Sequence, residues 1–271
     1  AFVTATADTA WALGTTTACQ DTPVHGKPPF PGLGDDDMPS LGTFRILVAA
    51  PFHSLMAGYP GYDGVARLTS PIMSDPSTTV GRSAPHLHGS AADTGGTAVG
   101  TAGTIISDAA FSLVPPGFQG PAGTREIHTE LRTMNLTGGG ATVRAGTAAP
   151  DRPMSPGEVE TYSTSGDPAD DWPAQSFFDV FVEVDLPAFG GFPGGTLYNA
   201  APLLVESVTL EKFPPQIVYV HGNTSAVPVL FKTTNPGFWA ANDLFGYLVL
   251  AGHGADFSAD SGSVQIFENA V

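Results

Sequence analysis

The segment SFFDVFVEVDL, residues 176–186, has the clearest strand pattern in the chain. Its apolar side chains alternate with acidic ones: Phe178, Val180, Val182, Val184 and Leu186 share one face, and Asp179, Glu183 and Asp185 share the other. Successive side chains of a β-strand point to opposite faces of the sheet. The segment therefore predicts a strand with one buried face and one largely solvated face.

Further apolar, β-branched segments flank this one. Examples are LGTFRILVAA (41–50), TREIHTELRTMNL (124–136) and LFGYLVLAG (244–252). Glycine and proline, 33 and 25 of 271 residues, separate them and are poor in helix interiors. Since no segment of helical period links the strands, the sequence predicts an all-β fold. We expect an antiparallel β-sandwich, jelly-roll-like, with long loops and an extended N-terminal segment.

The chain divides into two parts on this pattern. We expect residues 1–40 to be an extended arm and a Pro/Gly-rich linker, and residues 41–271 to be the sandwich domain. The polar, proline-rich stretch 147–173 is the candidate boundary inside that domain. Residues 51–102 show no sustained period, which predicts long loop excursions holding a few short strands and carrying binding or assembly surfaces.

The strong negative charge of the chain limits the kinds of molecule that it can bind. Ten basic residues against 26 acidic ones give a net charge of −16. Such a surface repels nucleic acid and anionic lipid, and no apolar run is long enough for a membrane-spanning helix. The acidity and the scarcity of lysine favour an extracellular or cell-surface location. The single cysteine, Cys19, cannot form an internal disulfide, and its role stays open.

Two rows of polar side chains on predicted strands are candidate active sites. Glu126, His128, Glu130 and Arg132 alternate with apolar or threonine side chains, which predicts a solvated strand face. Glu183 and Asp185 have a spacing close to the window of about 6.5–9.5 Å used by inverting glycosidases, but strand alternation explains them equally well.

The HxH pattern of His86 and His88 can place two imidazoles on one side of a strand, as Zn or Cu sites require. A third ligand would come from a distant residue, and the candidates are His53, His128, His221 and His253. Nothing in the sequence shows that any of them lies near His86 and His88. We therefore expect the HxH spacing to have arisen by chance and not to mark a metal site.

Acidic loops are the stronger metal candidates. A hard cation such as Ca²⁺ needs six to eight oxygen ligands, which carboxylates and backbone carbonyls of loops supply. The candidate Ca²⁺ ligands are Asp35, Asp36, Asp37, Asp167, Asp170, Asp171, Asp256 and Asp260. Solvated acidic turns without an ion remain the alternative.

The chain contains neither a G-x-S-x-G elbow nor a phosphate-binding glycine motif in the right context. We therefore expect a secreted, non-enzymatic structural protein that self-assembles into an extracellular filament, matrix or surface layer. Donation of the N-terminal strand to a neighbouring copy would be the mechanism. The assembly residues would be Phe2, Val3, Trp11 and Leu13.

The alternative is an extracellular polysaccharide-binding module or a glycan-active enzyme. Aromatic side chains in loops can stack on sugar rings, although packing in the core is their commoner use. The candidates are Tyr59, Tyr62, Trp172, Phe192 and Trp239.

Three segments, TREIHTELRTMNL, SFFDVFVEVDLP and FPPQIVYVHGNTSAVPVLF, resemble uncharacterised exported bacterial surface proteins of the PEP-CTERM-associated kind. The similarity covers about the last 150 residues and rests on strand motifs. The Pro-Glu-Pro anchor motif of that family does not occur in the sequence. The resemblance implies export and a cell-surface or matrix role, and it assigns no residue-level function.

Overall fold

The computed structural model describes residues 27–38, 40–69, 78–118, 120–213, 218–221 and 226–255. Several residues singled out above lie outside the described ranges, namely Phe2, Val3, Trp11, Leu13, Cys19, Asp256 and Asp260. Strand donation by the N-terminal arm therefore stays a prediction.

Strands dominate the described residues. They are β1 (Gly34–Met38), β2 (Ser40–Val48), β3 (Val65–Thr69), β4 (Thr78–Arg82), β5 (His86–Leu87), β6 (Thr97–Val99), β7 (Thr104–Ile106), β8 (Arg125–Gly138), β9 (Ala141–Gly146), β10 (Pro156–Thr161), β11 (Ala174–Val180), β12 (Val182–Leu186), β13 (Gly195–Asn199), β14 (Leu203–Leu210), β15 (Val218–His221), β16 (Val227–Phe231) and β17 (Leu244–Ala255). The helical elements are α1 (His53–Met56), α2 (Ala91–Gly95) and 3-10 turns at Ala50–Phe52, Asp108–Ala110 and Pro168–Asp170. The all-β prediction is confirmed. Both described α-helices are far too short to span a membrane.

Fifteen of the described strands form one antiparallel sheet. Its order is β1-β4-β8-β10-β11-β14-β15-β17-β16-β13-β12-β9, and β9 pairs with β8 again, so the path closes on itself. Three further strands lie off this path: β2 pairs with β17, β3 pairs with β2, and β5 pairs with the start of β8. Strands β6 and β7 form a separate small sheet. This arrangement is consistent with the predicted antiparallel sandwich.

The largest hydrophobic cluster fills the space between the strands. Its fully buried members include Ile46, Val182, Phe231 and Phe245. Phe231 stacks on Trp239 with ring centroids 3.9 Å apart. Burying a side chain of this size contributes roughly 1.5–3 kcal/mol, so this cluster is the main source of stability.

The segment 176–186 forms strands β11 and β12, as predicted, but both of its faces are covered over most of its length. Asp179 is buried and accepts hydrogen bonds from the backbone N–H groups of Ser112 and Leu113 at 2.6 and 2.9 Å. Glu183 is buried beside Lys232 Nζ at 2.5 Å. The prediction of a largely solvated acidic face is therefore wrong for these two residues.

Residues 83–118, here called the covering segment, lie over the polar face of β8, β10 and β11. Phe111 and Phe118 pack edge-on against Phe177 of β11, with centroid distances of 5.0 and 4.8 Å. The Ile106 carbonyl lies 2.9 Å from Nδ1 of His128 on β8. The covering segment therefore converts a strand face that looks solvated in sequence into an interior layer that contains polar groups.

Two regions differ from the domain plan read from sequence. Residues 34–38, assigned to the linker, form β1 and pair with β4. Asp36 of β1 makes a buried ion pair with Arg82 of β4. Within 147–173, strand β10 pairs with both β8 and β11.

Candidate metal centre

Six ionisable side chains converge where the covering segment meets β8. Together they form the histidine–carboxylate cluster, which consists of His86, His88, Asp93, Asp108, Glu126 and His128. The residues come from β5, the turn after it, α2, the 3-10 turn after β7, and β8. The first of them, residue 86, and the last, residue 128, are 42 positions apart in the sequence, so the fold brings them together.

Strand geometry places four of the six. Glu126 and His128 are two residues apart on β8 and therefore point to the same side. In the pairing of β5 with β8, His86 lies directly opposite Glu126. His88 follows two residues after His86 and reaches the same cluster, as the HxH spacing allows.

A helix cap places Asp93. The Ser90 side chain accepts a hydrogen bond from the Asp93 N–H at 3.3 Å, and Asp93 Oδ2 accepts one from Gly89 N–H at 2.6 Å. Gly89 has φ +73°, a conformation that favours glycine, and it turns the chain immediately after His88. Ser90 thus caps the helix, and the bond from Gly89 N–H, one residue before the N-cap, fixes the Asp93 carboxylate.

The inner position of the cluster is formed by His86, Asp93, Glu126 and His128, all of them buried. Each offers one ligand atom, and these atoms all lie within 4.8 Å of one another. His86 Nε2 is 3.3 Å from Glu126 Oε1, and His128 Nε2 is 3.7 Å from Asp93 Oδ1. Four ligands at about 2.0–2.2 Å from a tetrahedral ion stand about 3.5 Å apart, so these separations suit such an ion.

Backbone carbonyls orient the two histidines of the inner position. Nδ1 of His128 lies 2.9 Å from the Ile106 carbonyl, and Nδ1 of His86 lies 3.2 Å from the Ala84 carbonyl. Since carbonyls only accept, each Nδ1 carries the hydrogen, and each Nε2 faces a carboxylate: Glu126 Oε1 at 3.3 Å for His86 and Asp108 Oδ1 at 3.4 Å for His128. Metal-binding histidines are held by this kind of contact.

Three atoms of the inner position are buried without a hydrogen-bond partner among the described residues. They are His86 Nε2, Asp93 Oδ1 and Glu126 Oε1. Buried polar atoms are normally hydrogen-bonded, and leaving one unsatisfied costs about 1–3 kcal/mol. Each of the three faces another member of the inner position, since His86 Nε2 lies 3.3 Å from Glu126 Oε1 and Asp93 Oδ1 lies 3.7 Å from His128 Nε2.

The electrostatics of the cluster are strongly perturbed. Burial raises the pKa of Glu126, and burial together with a hydrogen bond to Asp93 raises the pKa of Asp108 to about 7. Burial and then the charge of His86 lower the pKa of His128 to about 4. Burial opposes the charged form of His86, but its hydrogen bond to Glu126 outweighs this and raises its pKa. His128 is therefore a neutral base at pH 7, as a ligand must be.

Two more glutamates lie on the neighbouring strand β10. Glu160 is satisfied by protein donors, since Oε1 accepts from Gly120 N–H at 2.6 Å and from Thr124 Oγ1 at 2.9 Å. Glu158 lies opposite His128, and neither of its oxygens has a hydrogen-bond partner among the described residues. Burial, and next the charge of Glu126, raises the pKa of Glu158 well above its ordinary value.

The sequence prediction of a solvated row is wrong for Glu126 and His128, which are completely buried. Nothing in the sequence indicated that a third histidine joins His86 and His88, but in the structure both converge on Glu126, with His128 beside them. His53 lies elsewhere, with Nε2 2.8 Å from the Val48 carbonyl.

Asp93 and Asp108 are not among the site residues predicted from the sequence. The S-x-x-D pattern at Ser90–Asp93 was the available signal for the first, because it marks a helix start three residues after the HxH pattern. No local pattern distinguishes Asp108.

The described candidate Ca²⁺ ligands are engaged with protein groups. Asp35 accepts from Thr101 Oγ1 at 2.5 Å, Asp36 pairs with Arg82, and Asp37 accepts from Thr79 Oγ1 at 2.5 Å. All three lie on β1 and not on a loop. In the second loop, Asp167 caps the 3-10 turn at Ala169 N–H, Asp170 accepts from Ser165 Oγ, and Asp171 pairs with Arg125.

The residues suggested for sugar chemistry are placed in other environments. Glu183 is neutralised by Lys232, Arg144 and Arg152, and Asp185 pairs with Arg144 at 2.6 Å. Among the loop aromatics, Tyr62 is partly buried against the core, and the buried ones are Tyr59, Trp172, Phe192 and Trp239. These four rings are packed inside the protein and are not free to stack on a sugar.

Comparison with known proteins adds little. No protein-family model matches the chain, and a search of curated proteins finds no match. Among solved structures the chain is similar to DynF from the dynemicin biosynthesis pathway of Micromonospora chersina. The sequence identity is 16%, the TM-score is 0.45, and the match covers 84% of this chain and 82% of DynF. A similarity of this size assigns no function.

Proposed function

We propose that this protein binds a divalent transition-metal ion at the inner position of the histidine–carboxylate cluster. The observation that carries the proposal is the buried convergence of four ligand atoms within 4.8 Å of one another, of which His86 Nε2, Asp93 Oδ1 and Glu126 Oε1 make no well-aligned hydrogen bond among the described residues. With Nε2 of His128, which lies 3.4 Å from Asp108 Oδ1, they make two nitrogen and two oxygen ligands. An ion at their centre would satisfy all four and compensate the two carboxylates.

The ligand types select the class of metal. Two imidazoles with two carboxylates suit Zn²⁺, Co²⁺, Ni²⁺ or ferrous iron, whereas Ca²⁺ and Mg²⁺ prefer ligands that are all oxygen. Zn²⁺ is the best match, because four ligands satisfy its tetrahedral preference. The acidic residues 35–37 and 167–171 offer no imidazole and belong to a different class of site.

The metal would join two parts of the fold. His86 and Asp93 belong to the covering segment, while Glu126 and His128 belong to β8. Coordination would therefore hold the covering segment against the main sheet. Since ligands in the unfolded chain are not assembled, the binding free energy becomes folding free energy.

Isothermal titration calorimetry of the EDTA-stripped protein with Zn²⁺ tests the proposal. We expect tight binding by the wild type and at least roughly 100-fold weaker binding by His128→Gln. Loss of a residue that only supports a ligand can already weaken metal binding by about 100-fold, and loss of the ligand itself should cost no less. His53→Gln is the matched control, because His53 is exposed and lies outside the cluster. Circular dichroism of the metal-free proteins checks that both variants are folded. Absence of Zn²⁺ binding, or equal binding by His128→Gln and the wild type, would contradict the proposal.

A hydrolytic role is the second candidate, favoured by the exposure of one side of the cluster. The side chains of His88 and Asp108 are 16% and 24% exposed, so water reaches that side. Catalytic zinc sites keep such an open position. Metal-dependent cleavage of p-nitrophenyl phosphate or acetate, lost in Asp108→Asn and retained in His53→Gln, would support it. No turnover with either ester in the zinc-loaded protein would count against it.

A further inference from the structure

We infer that the histidine–carboxylate cluster holds two divalent ions, with Asp93 and Glu126 bridging them. The second ion would occupy an outer position formed by His88 and Asp108 with the bridging carboxylates. This inference rests on the metal centre proposed above and extends it to a dinuclear site.

The two carboxylates each face two different histidines. Glu126 Oε1 lies 3.3 Å from His86 Nε2, while Glu126 Oε2 lies 3.1 Å from His88 Nδ1. Asp93 repeats this arrangement, with Oδ1 3.7 Å from His128 Nε2 and Oδ2 3.8 Å from His88 Nδ1. One oxygen of each carboxylate therefore faces the inner position and the other faces the outer position. Bridging carboxylates in dinuclear centres have this orientation, and the two ions then lie about 3.5–4 Å apart.

Asp108 completes the outer position. Its Oδ2 lies 4.0 Å from His88 Nδ1, and one ligand atom from each of His88, Asp93 and Asp108 lies within 4.8 Å of the others. His88 is the only one of the three histidines of the cluster that takes no part in the inner group. The outer position therefore has a nitrogen ligand of its own and an oxygen ligand of its own, in addition to the shared carboxylates.

The charge of the cluster also favours more than one cation. Asp93, Asp108 and Glu126 lie close together, and Glu158 and Glu160 are buried behind them. Within the described ranges, none of these five carboxylates makes an ion pair with lysine or arginine. Buried charges are normally paired or coordinate metals. One dication balances two of the three cluster carboxylates, whereas two dications balance all three with one positive charge in excess.

The two positions differ in access to solvent. The inner ligands are buried, while the side chains of His88 and Asp108 are 16% and 24% exposed. The inner ion should therefore bind first and leave slowly, and the outer ion should bind more weakly and keep water among its ligands. The difference in affinity between the inner and outer positions predicts that the two ions bind one after the other.

Titration of the metal-stripped protein with Co²⁺ tests this inference, followed by calorimetry and by electron paramagnetic resonance. We expect two equivalents per chain in the wild type. The signal of the first cobalt should lose intensity when the second binds, because bridged cobalt ions couple magnetically. Asp108→Asn and His88→Gln should bind one equivalent and keep the uncoupled signal. Asp167→Asn is the control, since Asp167 only caps a 3-10 turn, and it should bind two.

Each outcome distinguishes the two proposals. One equivalent in the wild type would overturn the second ion and leave the inner centre standing. No bound cobalt would overturn both. Two equivalents that persist in both Asp108→Asn and His88→Gln, or two that never couple, would place the second ion outside the cluster and overturn this inference. Metal-free circular dichroism of the variants confirms that a lost equivalent does not reflect unfolding.

Discussion

Glu158 lies directly opposite His128 on the neighbouring strand, and both side chains are completely buried. Burial raises the pKa of the Glu158 carboxyl well above its ordinary value, and the charges of Glu126 and Glu160 raise it further. The metal-free protein therefore keeps an acid beside the proposed ligand His128 that resists ionisation. Both oxygens lack a hydrogen-bond partner within the described residues.

This arrangement predicts that Glu158→Gln stabilises the metal-free protein as pH rises. The pKa of the Glu158 carboxyl is higher in the folded protein than its ordinary value of 4.5. Such a group contributes its full stability below the unfolded pKa, and this stability is lost as pH rises through the folded pKa. Glutamine has no such loss. Urea unfolding in EDTA should show a difference between variant and wild type that grows from pH 5 to pH 8.

The exposed pair of Glu211 with Lys27 supplies the control. Glu211→Gln should change stability by less than about 0.5 kcal/mol at either pH, as surface substitutions do. If Glu158→Gln behaves like Glu211→Gln at both pH values, the account of the buried acid is wrong.

Metal affinity should depend on pH near neutrality. The pKa of Asp108 is raised to about 7, and the pKa values of Glu126 and His86 are also raised, so protons must leave when a cation binds. Affinity should rise by about tenfold per pH unit for each proton displaced and level off above these pKa values. Zn²⁺ calorimetry between pH 5.5 and 8, in two buffers of different ionisation enthalpy, measures the protons released. Zero proton release at pH 6 would contradict the prediction.

Metal removal should loosen the covering segment. Its links to β8 include His86 and Asp93, which the proposed ion would join to Glu126 and His128. Hydrogen exchange should show that amides of residues 86–108 lose protection in EDTA, because local opening there no longer requires release of the metal. Amides of β12 and β13, which carry none of the proposed ligands, should be unaffected. Equal exchange of residues 86–108 with and without EDTA would speak against a metal link.

The buried ion pair between Asp36 and Arg82 should make β1 an essential part of the domain. Asp36→Asn leaves the Arg82 charge buried without its partner, which should destabilise the protein by about 3–5 kcal/mol. Asp37→Asn, at an exposed position on the same strand, should cost less than about 1 kcal/mol. Urea unfolding of the two variants compares them, and similar small effects would mean that β1 is only loosely attached.

The fold class was accessible from sequence because strand period is a local property. Alternation along 176–186 predicted β11 and β12. Alternation also sorts side chains into two faces, but it does not reveal what covers each face. Glu126 and His128 were therefore assigned to solvent, although a segment some 20–40 residues earlier buries them.

The site itself depends on contacts between distant residues. The HxH spacing was visible and correctly suggested two imidazoles on one side, but the pairing of His86 with Glu126 follows from strand register. Asp108 is placed by the path of the covering segment after β7, which has no signature in sequence. Similarly, three consecutive aspartates after a glycine suggested a loop, whereas pairing with β4 and the partner Arg82 make residues 34–38 a strand.

Anomalous X-ray diffraction from crystals grown with Zn²⁺, measured at the zinc edge, tests the central claim most directly. The account predicts that the strongest peak lies about 2.0–2.1 Å from Nε2 of both His86 and His128, with oxygen ligands from Asp93 and Glu126. A crystal soaked with excess Zn²⁺ in which the cluster shows no peak, while zinc binds only at acidic surfaces such as residues 167–171, would contradict it.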